Sequence, residues 1–255
     1  MCTLTIIPDQ HGLIVTMNRD EQRSRGEIGT LLTGRSDITG VSYCYPLDAL
    51  HGGTWFGCNS AGIVLALLNR YQEESAQPVE SRGMIIPALI SCGSIPEMLR
   101  TLRDREEQRC NPHDLILMDT KSMVRCTWDG RHYQISERDT KSGVMVSSSS
   151  MLPEHTIEYR EALFRKWQEE YEEVPMKWAR ILTDFHLQKN DADPSASVLM
   201  SRPQSHTKSI SQARLESREI EMFYIDEATL RELTPGIVPQ ARSTCRFTVN
   251  SPVAN

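Results

Sequence analysis

The sequence contains no apolar run approaching the ~18 residues of a membrane-crossing helix, and its start lacks the basic stretch and apolar core of a secretory leader. A cytoplasmic protein with no integral membrane segment is therefore expected. The seven cysteines (Cys2, Cys44, Cys58, Cys92, Cys110, Cys126 and Cys245) are odd in number and include no C-x-x-C pair, which argues against a disulfide framework and a zinc ribbon. The seven histidines form neither H-E-x-x-H nor H-x-H. No metal or cofactor is expected. Positive charge is also in short supply: 28 Lys and Arg face 34 Asp and Glu, for a net charge of −6. Such a balance gives no general attraction to phosphate backbones, so nucleic acid is not an expected partner. No clear linker divides the chain. One domain over residues 1–233 is predicted, followed by a proline-bearing arm or tail over 234–255.

What is present begins at the first residues. Cys2 follows Met1 directly, and initiator methionine is generally removed before a residue as small as cysteine. Processing would leave a thiol and an α-amine, with ordinary pKa values of about 8.5 and about 8, on one residue. Nucleophile and base then need no distant histidine. The plain alternative is a small buried residue opening a strand. Thr3 to Ile7 and Leu13 to Met17 are β-rich runs around the turn formers Pro8, Asp9 and Gly12. The hairpin they form sets Cys2 beside Asn18-Arg19-Asp20-Glu21, which is expected just past the second strand. Arg19 would favour the thiolate there, and Asp20 would accept from the α-ammonium. The alternative is a solvated turn.

Residues 23–47 read as polar loop, with one strand at Val41 to Tyr45. A second hairpin joins Thr54 to Cys58 and Ile63 to Leu68 through Asn59-Ser60-Ala61-Gly62. Its second strand is apolar on both faces, which suits the middle of stacked layers. Asn69 at its end is a site candidate. Helices are predicted over Ser81 to Ser94 and Ile95 to Arg105, and strands at Asp114 to Asp119, Met123 to Trp128 and Tyr133 to Ser136. A charged helix follows at Glu154 to Glu173, with Ile157, Leu163, Phe164 and Trp167 on its apolar side, then another at Met176 to Leu187. The acidic residues that end the first read as a solvated face. Strands return at Val198 to Ser201, His206 to Gln212 and Ile220 to Ile225. This order predicts an α+β fold of two face-to-face sheets with helices outside.

Met1-Cys2-Thr3, Asn18-Arg19-Asp20-Glu21, Gly53-Thr54-Trp55-Phe56-Gly57-Cys58-Asn59 and Ser81-Arg82-Gly83 together resemble the NRDE family, known in animals as the transport and Golgi organization 2 family. More distantly the chain is similar to N-terminal nucleophile (Ntn) hydrolases of the choloylglycine hydrolase and penicillin V acylase type. The resemblance is best in the first third and thins beyond about residue 150. It implies a four-layer αββα sandwich of two mainly antiparallel sheets. It also implies that Cys2 is the nucleophile after loss of Met1, that Asp20 holds its amine, that Arg19 stands near the thiolate, and that Asn69 helps bind the oxyanion. Asn18 and Asn59 join the site as binding candidates. In the acylases the arginine precedes the aspartate by three residues; here they are adjacent. A second acylase asparagine would fall within Gly143 to Ser150, where only serines stand, so Ser147 or Ser148 would supply a hydroxyl instead. Arg202 lies where the resemblance would match a late acylase arginine, and a surface role is the alternative. His206 reads as a strand histidine with a satisfied partner rather than half of a Cys-His dyad.

Two functions follow as expectations. One is a thiol amidohydrolase acting on a non-peptide C–N bond of a small acyl amide. The other is a non-catalytic binding or transport protein for a lipid or haem-like ligand, in line with the association of the animal relatives with Golgi organization, lipid metabolism and haem handling.

Overall fold

The computed structural model describes residues 1–71, 80–105, 110–171, 180–232 and 243–249. The first hairpin forms as expected from β1 (Cys2–Asp9) and β2 (Gly12–Gln22). Leu4, Ile6, Val15 and Met17 line one of its faces and are buried, each contributing roughly 1.5–3 kcal/mol. β2 outruns its apolar residues. Asn18, Arg19 and Asp20 lie inside the ladder rather than past it, because β11 (Ser205–Glu216) pairs along β2 as far as Gln22.

β10 (Val144–Ser148) adds to the free side of β1, and β12 (Glu219–Ile225) and β13 (Ser243–Thr248) extend the other edge, giving the order β10-β1-β2-β11-β12-β13. The second sheet holds β3 (Glu27–Arg35), β4 (Ser42–Asp48), β5 (Phe56–Asn59), β6 (Ile63–Asn69), β7 (His113–Met118), β8 (Ser122–Trp128) and β9 (Tyr133–Asp139) in chain order. All pairs in both sheets are antiparallel.

β6 is central, as its two apolar faces require. Val64, Ala66 and Leu68 join the core between the sheets, while Ile63, Leu65 and Leu67 face the helices α1 (Ile85–Leu89) and α2 (Ile95–Arg103). α2 starts where Ser94 Oγ accepts the Glu97 N–H at 3.3 Å. On the opposite side α3 (Pro153–Tyr171) and a π-helical turn, Ile181–His186, pack Phe164, Trp167 and Phe185 against Ile7 and Ile14. Helix, sheet, sheet and helix thus form four layers.

Several elements differ from the sequence reading. β3 occupies part of the expected loop, paired only to β4, because an edge strand needs little apolar content. The helix expected over residues 81–94 is a 3-10 turn, Arg82–Met84, followed by the short α1. Val198 to Ser201 carries only one isolated bridge, Ser201 with His206. The terminal stretch supplies β13, whose alternate residues Ser243, Cys245 and Phe247 turn inward. Residues 176–179 of the expected second helix, and 234–242 and 250–255 of the expected arm, lie outside the described residues.

Candidate functional site

The open end of the first hairpin sets the geometry. The Met1 ammonium donates to Asp20 O at 2.9 Å, and Asp20 N–H donates to Met1 O at 2.8 Å. Met1 and Asp20 therefore make a hydrogen-bonded pair. The next pair, Cys2 with Arg19, is a non-hydrogen-bonded one, where Cα atoms approach to about 4.5 Å and side chains sit closest. Strand alternation then sends Cys2 and Arg19 toward the second sheet, and Thr3 and Asp20 toward α3. Cys2, 6 % exposed, lines a cavity of about 390 Å³ with Arg19, Trp55, Asn69 and Arg82.

Arg19 is fixed on three sides. Its guanidinium lies 4.0 Å from the Trp55 ring centroid, donates to Asp48 Oδ2 at 2.8 Å, and stands 3.9 Å from Glu21. Asp48 also accepts from Arg25 Nε at 2.9 Å. Burial works against its charge, yet Arg25 and the N–H groups of Leu50 and His51 hold its carboxyl below the usual range. Burial pushes the Cys2 thiol up, and the nearby ammonium and Arg19 pull it down without reversing the shift. With Met1 in place Cys2 is a protonated thiol at neutral pH, so a nucleophile here requires a base.

Asp20 belongs to the opposite face. Its Oδ1 accepts from Thr207 Oγ1 at 2.6 Å, while Oδ2 takes no hydrogen bond among the described residues and faces Arg160 Nη2 at 3.7 Å. A β-bulge between Thr207 and Ser209 turns that hydroxyl toward Asp20. Burial raises the Asp20 carboxyl, and Arg160, the ammonium and Thr207 oppose the rise. Arg160 is fully buried and donates to Thr3 Oγ1 at 2.7 Å, Ser147 Oγ at 3.1 Å and Ser197 O at 2.6 Å.

The remaining sequence candidates divide. Asn69, the last residue of β6, lines the cavity and donates Nδ2–H to Tyr71 Oη at 3.0 Å. Ser148 Oγ accepts the Cys2 N–H at 3.1 Å, and Ser147 Oγ donates to Cys2 O at 3.4 Å. Arg202 is buried rather than on the surface. Its Nη1 donates to Met1 Sδ at 2.9 Å and its Nη2 to Ser149 Oγ at 3.2 Å. Asn18 and Asn59 do not line the cavity. Asn18 Nδ2 donates to His186 O and Val198 O, and Asn59 Nδ2 to Ile90 O and Cys92 O, so both amides tie backbone segments together. His206 pairs through Nε2 with Glu227 at 2.8 Å, while its buried Nδ1 takes no hydrogen bond among the described residues; it does not line the cavity of Cys2.

Three contributors were missed from the sequence. Tyr71 Oη lies 3.3 Å from the Met1 amine and links it to Asn69; it sits two residues after the asparagine and carried no separate signal. Asp48, the anchor of Arg19, lies at the end of a strand only partly anticipated. Arg160 had a signal: it falls on the stripe of Ile157, Phe164 and Trp167 at helical spacing, where a cation must find buried partners. Among the described residues no group of three or more His, Cys, Asp or Glu is arranged to hold a metal, and no helix is long and apolar enough to cross a membrane.

Comparison with known proteins gives a family and a fold. The family model described as Transport and Golgi organisation 2 matches residues 1–230. No curated protein sequence matches the chain. Among solved structures, penicillin V acylase from Agrobacterium tumefaciens superposes with a TM-score of 0.51 at 14% identity, covering 92% of this chain and 84% of that one. A mutant conjugated bile acid hydrolase from Clostridium perfringens gives 0.53 at 10% identity, covering 94% and 96%. The Caenorhabditis elegans orthologue of N-acylethanolamine-hydrolyzing acid amidase gives 0.50 at 12% identity, covering 83% and 92%. At these identities the likeness is one of fold, the Ntn-hydrolase-like sandwich.

Proposed function

The chain belongs to the Transport and Golgi organisation 2 family, and from that premise we propose that it is an N-terminal-cysteine amidohydrolase acting on a non-peptide amide of a small molecule. The observation that carries the reading is the placement of Cys2: at a strand end, facing a cavity, paired across β2 with Arg19 and sharing the cavity with Asn69. The three solved structures of like fold bear the names of an acylase, a hydrolase and an acid amidase, which supports the reaction class.

In this reading removal of Met1 makes the Cys2 nitrogen an amine. That nitrogen already faces Ser148 Oγ, and the Asp20 oxygen without a hydrogen bond offers its ammonium form a counter-charge. The amine takes the thiol proton as Sγ attacks the amide carbon. The oxyanion is held by Asn69 Nδ2, which exchanges Tyr71 Oη for it, and by backbone N–H groups. Collapse breaks the C–N bond, the leaving nitrogen takes the proton, and a thioester remains. Water then attacks the thioester, giving the acid and the free thiol.

The test is turnover by Met1-free protein of a panel of N-acyl amides, with the amine product quantified. Release that disappears in Cys2→Ala supports the reaction; equal release from both proteins sinks it. One observation favours a binding protein instead. Both serines in the place of the acylase asparagine are already engaged, Ser148 by the Cys2 N–H and Ser147 by Arg160. That reading, which covers lipid or haem-like ligands, expects binding that survives Cys2→Ala without any turnover.

A further inference from the structure

Arg82 is a cavity cation that the mechanism above does not use. Most of the other charges lining the cavity are paired. Arg19 and Arg25 share Asp48, Arg25 also lies 3.7 Å from Glu21, and Glu80 accepts from Arg105 Nη2 through both oxygens, at 2.7 and 2.9 Å. Arg82 makes one hydrogen bond among the described residues, from Nη1 to Pro112 O at 2.9 Å, and no carboxylate there pairs with it.

Its position is built rather than incidental. Thr54 N–H donates to Gly83 O at 2.9 Å, and the two backbones approach so closely that a Cβ on Gly53 would lie 2.6 Å from Gly83 C. Ser81 Oγ accepts the Gly83 N–H at 3.3 Å and caps the 3-10 turn that begins with Arg82. The Gly52-Gly53-Thr54 and Ser81-Arg82-Gly83 segments thus clamp each other, and the clamp holds Arg82 in the wall of the cavity that Cys2 lines. Burial depresses its pKa, and the carboxylate of Glu21 is among the groups that oppose the drop. A cation partly withdrawn from water without a counter-charge is costly unless a ligand supplies one.

We propose that Arg82 binds a carboxylate of the ligand, so that the cavity takes acyl amides carrying a single negative charge beside the reacting group. The charge balance selects a monoanion. Glu21, Asp48 and Glu80 also line the cavity, and one unpaired guanidinium among them would leave a phosphate, at about −1.5 to −2, undercompensated. A planar carboxylate instead meets the N–H edge that Pro112 leaves open. The inference rests on the cavity being the ligand site of the proposed hydrolase, and it is independent of whether Cys2 turns the ligand over.

The test uses Met1-free Cys2→Ala protein, which binds without turnover, and two probes: the mono-anilide of adipic acid and its methyl ester. Calorimetry gives each affinity, and circular dichroism confirms folding of each variant. The acid should bind ~10-fold or more tightly than the ester. Arg82→Gln should erase that preference by weakening the acid alone, and Arg82→Lys should restore part of it. Equal affinity for acid and ester, or equal loss of both in Arg82→Gln, overturns the assignment. In Met1-free protein that keeps Cys2, turnover of the ester at parity with the acid would overturn it while leaving the hydrolase reading intact. Failure of both probes to bind, with no amide turned over, overturns both.

Discussion

His186 and His113 are buried and held neutral by the same device. In each, Nδ1–H donates to a carbonyl oxygen, of the Asn18 side chain at 2.7 Å or of the Asn111 backbone at 2.8 Å, while Nε2 accepts a hydroxyl, from Thr5 or Tyr133. Burial pushes His186 down to about 3 and His113 down to about 4, the latter against its bond to Asn111. With folded pKa values below the unfolded ~6.5, their contribution to stability is complete above that pH and is lost as pH falls toward the folded values. The slope is about 1.4 kcal/mol per pH unit for each histidine. Urea unfolding between pH 6.5 and 5 should therefore show a slope smaller by about one such increment in His113→Gln; coincident slopes would contradict the assignment. At this scale the meeting of Cys2 with Arg19 and the place of Asn69 at the end of its strand were legible from the hairpin turns, whereas Arg19 and Asp20 lie within β2 rather than past it. Asn18 and Asn59 were misread because an asparagine that binds a ligand and one that ties two carbonyls look alike until the partners are known.

Among the elements, the two hairpins and the central β6 followed from alternation, turn residues and a run apolar on both faces. β3 and β13 did not, since their inward residues are few and are completed by neighbours from distant chain segments: Ser243 Oγ accepts the Leu31 N–H at 3.2 Å, joining the edges of the two sheets. The clamp between Gly53 and Gly83 was visible only as two glycine-bearing motifs. Its packing makes a prediction. Gly53→Ala sets a methyl against backbone atoms that cannot rotate away, so it should cost about 1–3 kcal/mol and displace Arg82. Gly26→Ala, whose nearest neighbour is Ala49 Cβ at 3.8 Å, should cost less. Chemical denaturation of the two variants checks this, and equal stability of both would contradict the clamp.

For the molecule as a whole, the four layers bring the free ends of β1, β6 and β10 to one edge. Cys2, Asn69 and Ser148 come from residues far apart in the chain and meet because those strands end together. Sequence pattern foretold the layers, but it could not foretell that Arg160 would cross from the outer helix to Asp20, a contact that exists only once α3 packs on the first sheet. This edge is the proposed acyl-transfer site, with Cys2 as its nucleophile. Its most direct test is peptide-level mass spectrometry of Met1-free protein, acid-quenched during incubation with a hydrolysable N-acyl amide. The acyl mass should appear on the N-terminal peptide at Cys2 and decay as the acid product forms; acid product formed with Cys2 unmodified and an undiminished rate in Cys2→Ala would rule out Cys2 as the nucleophile.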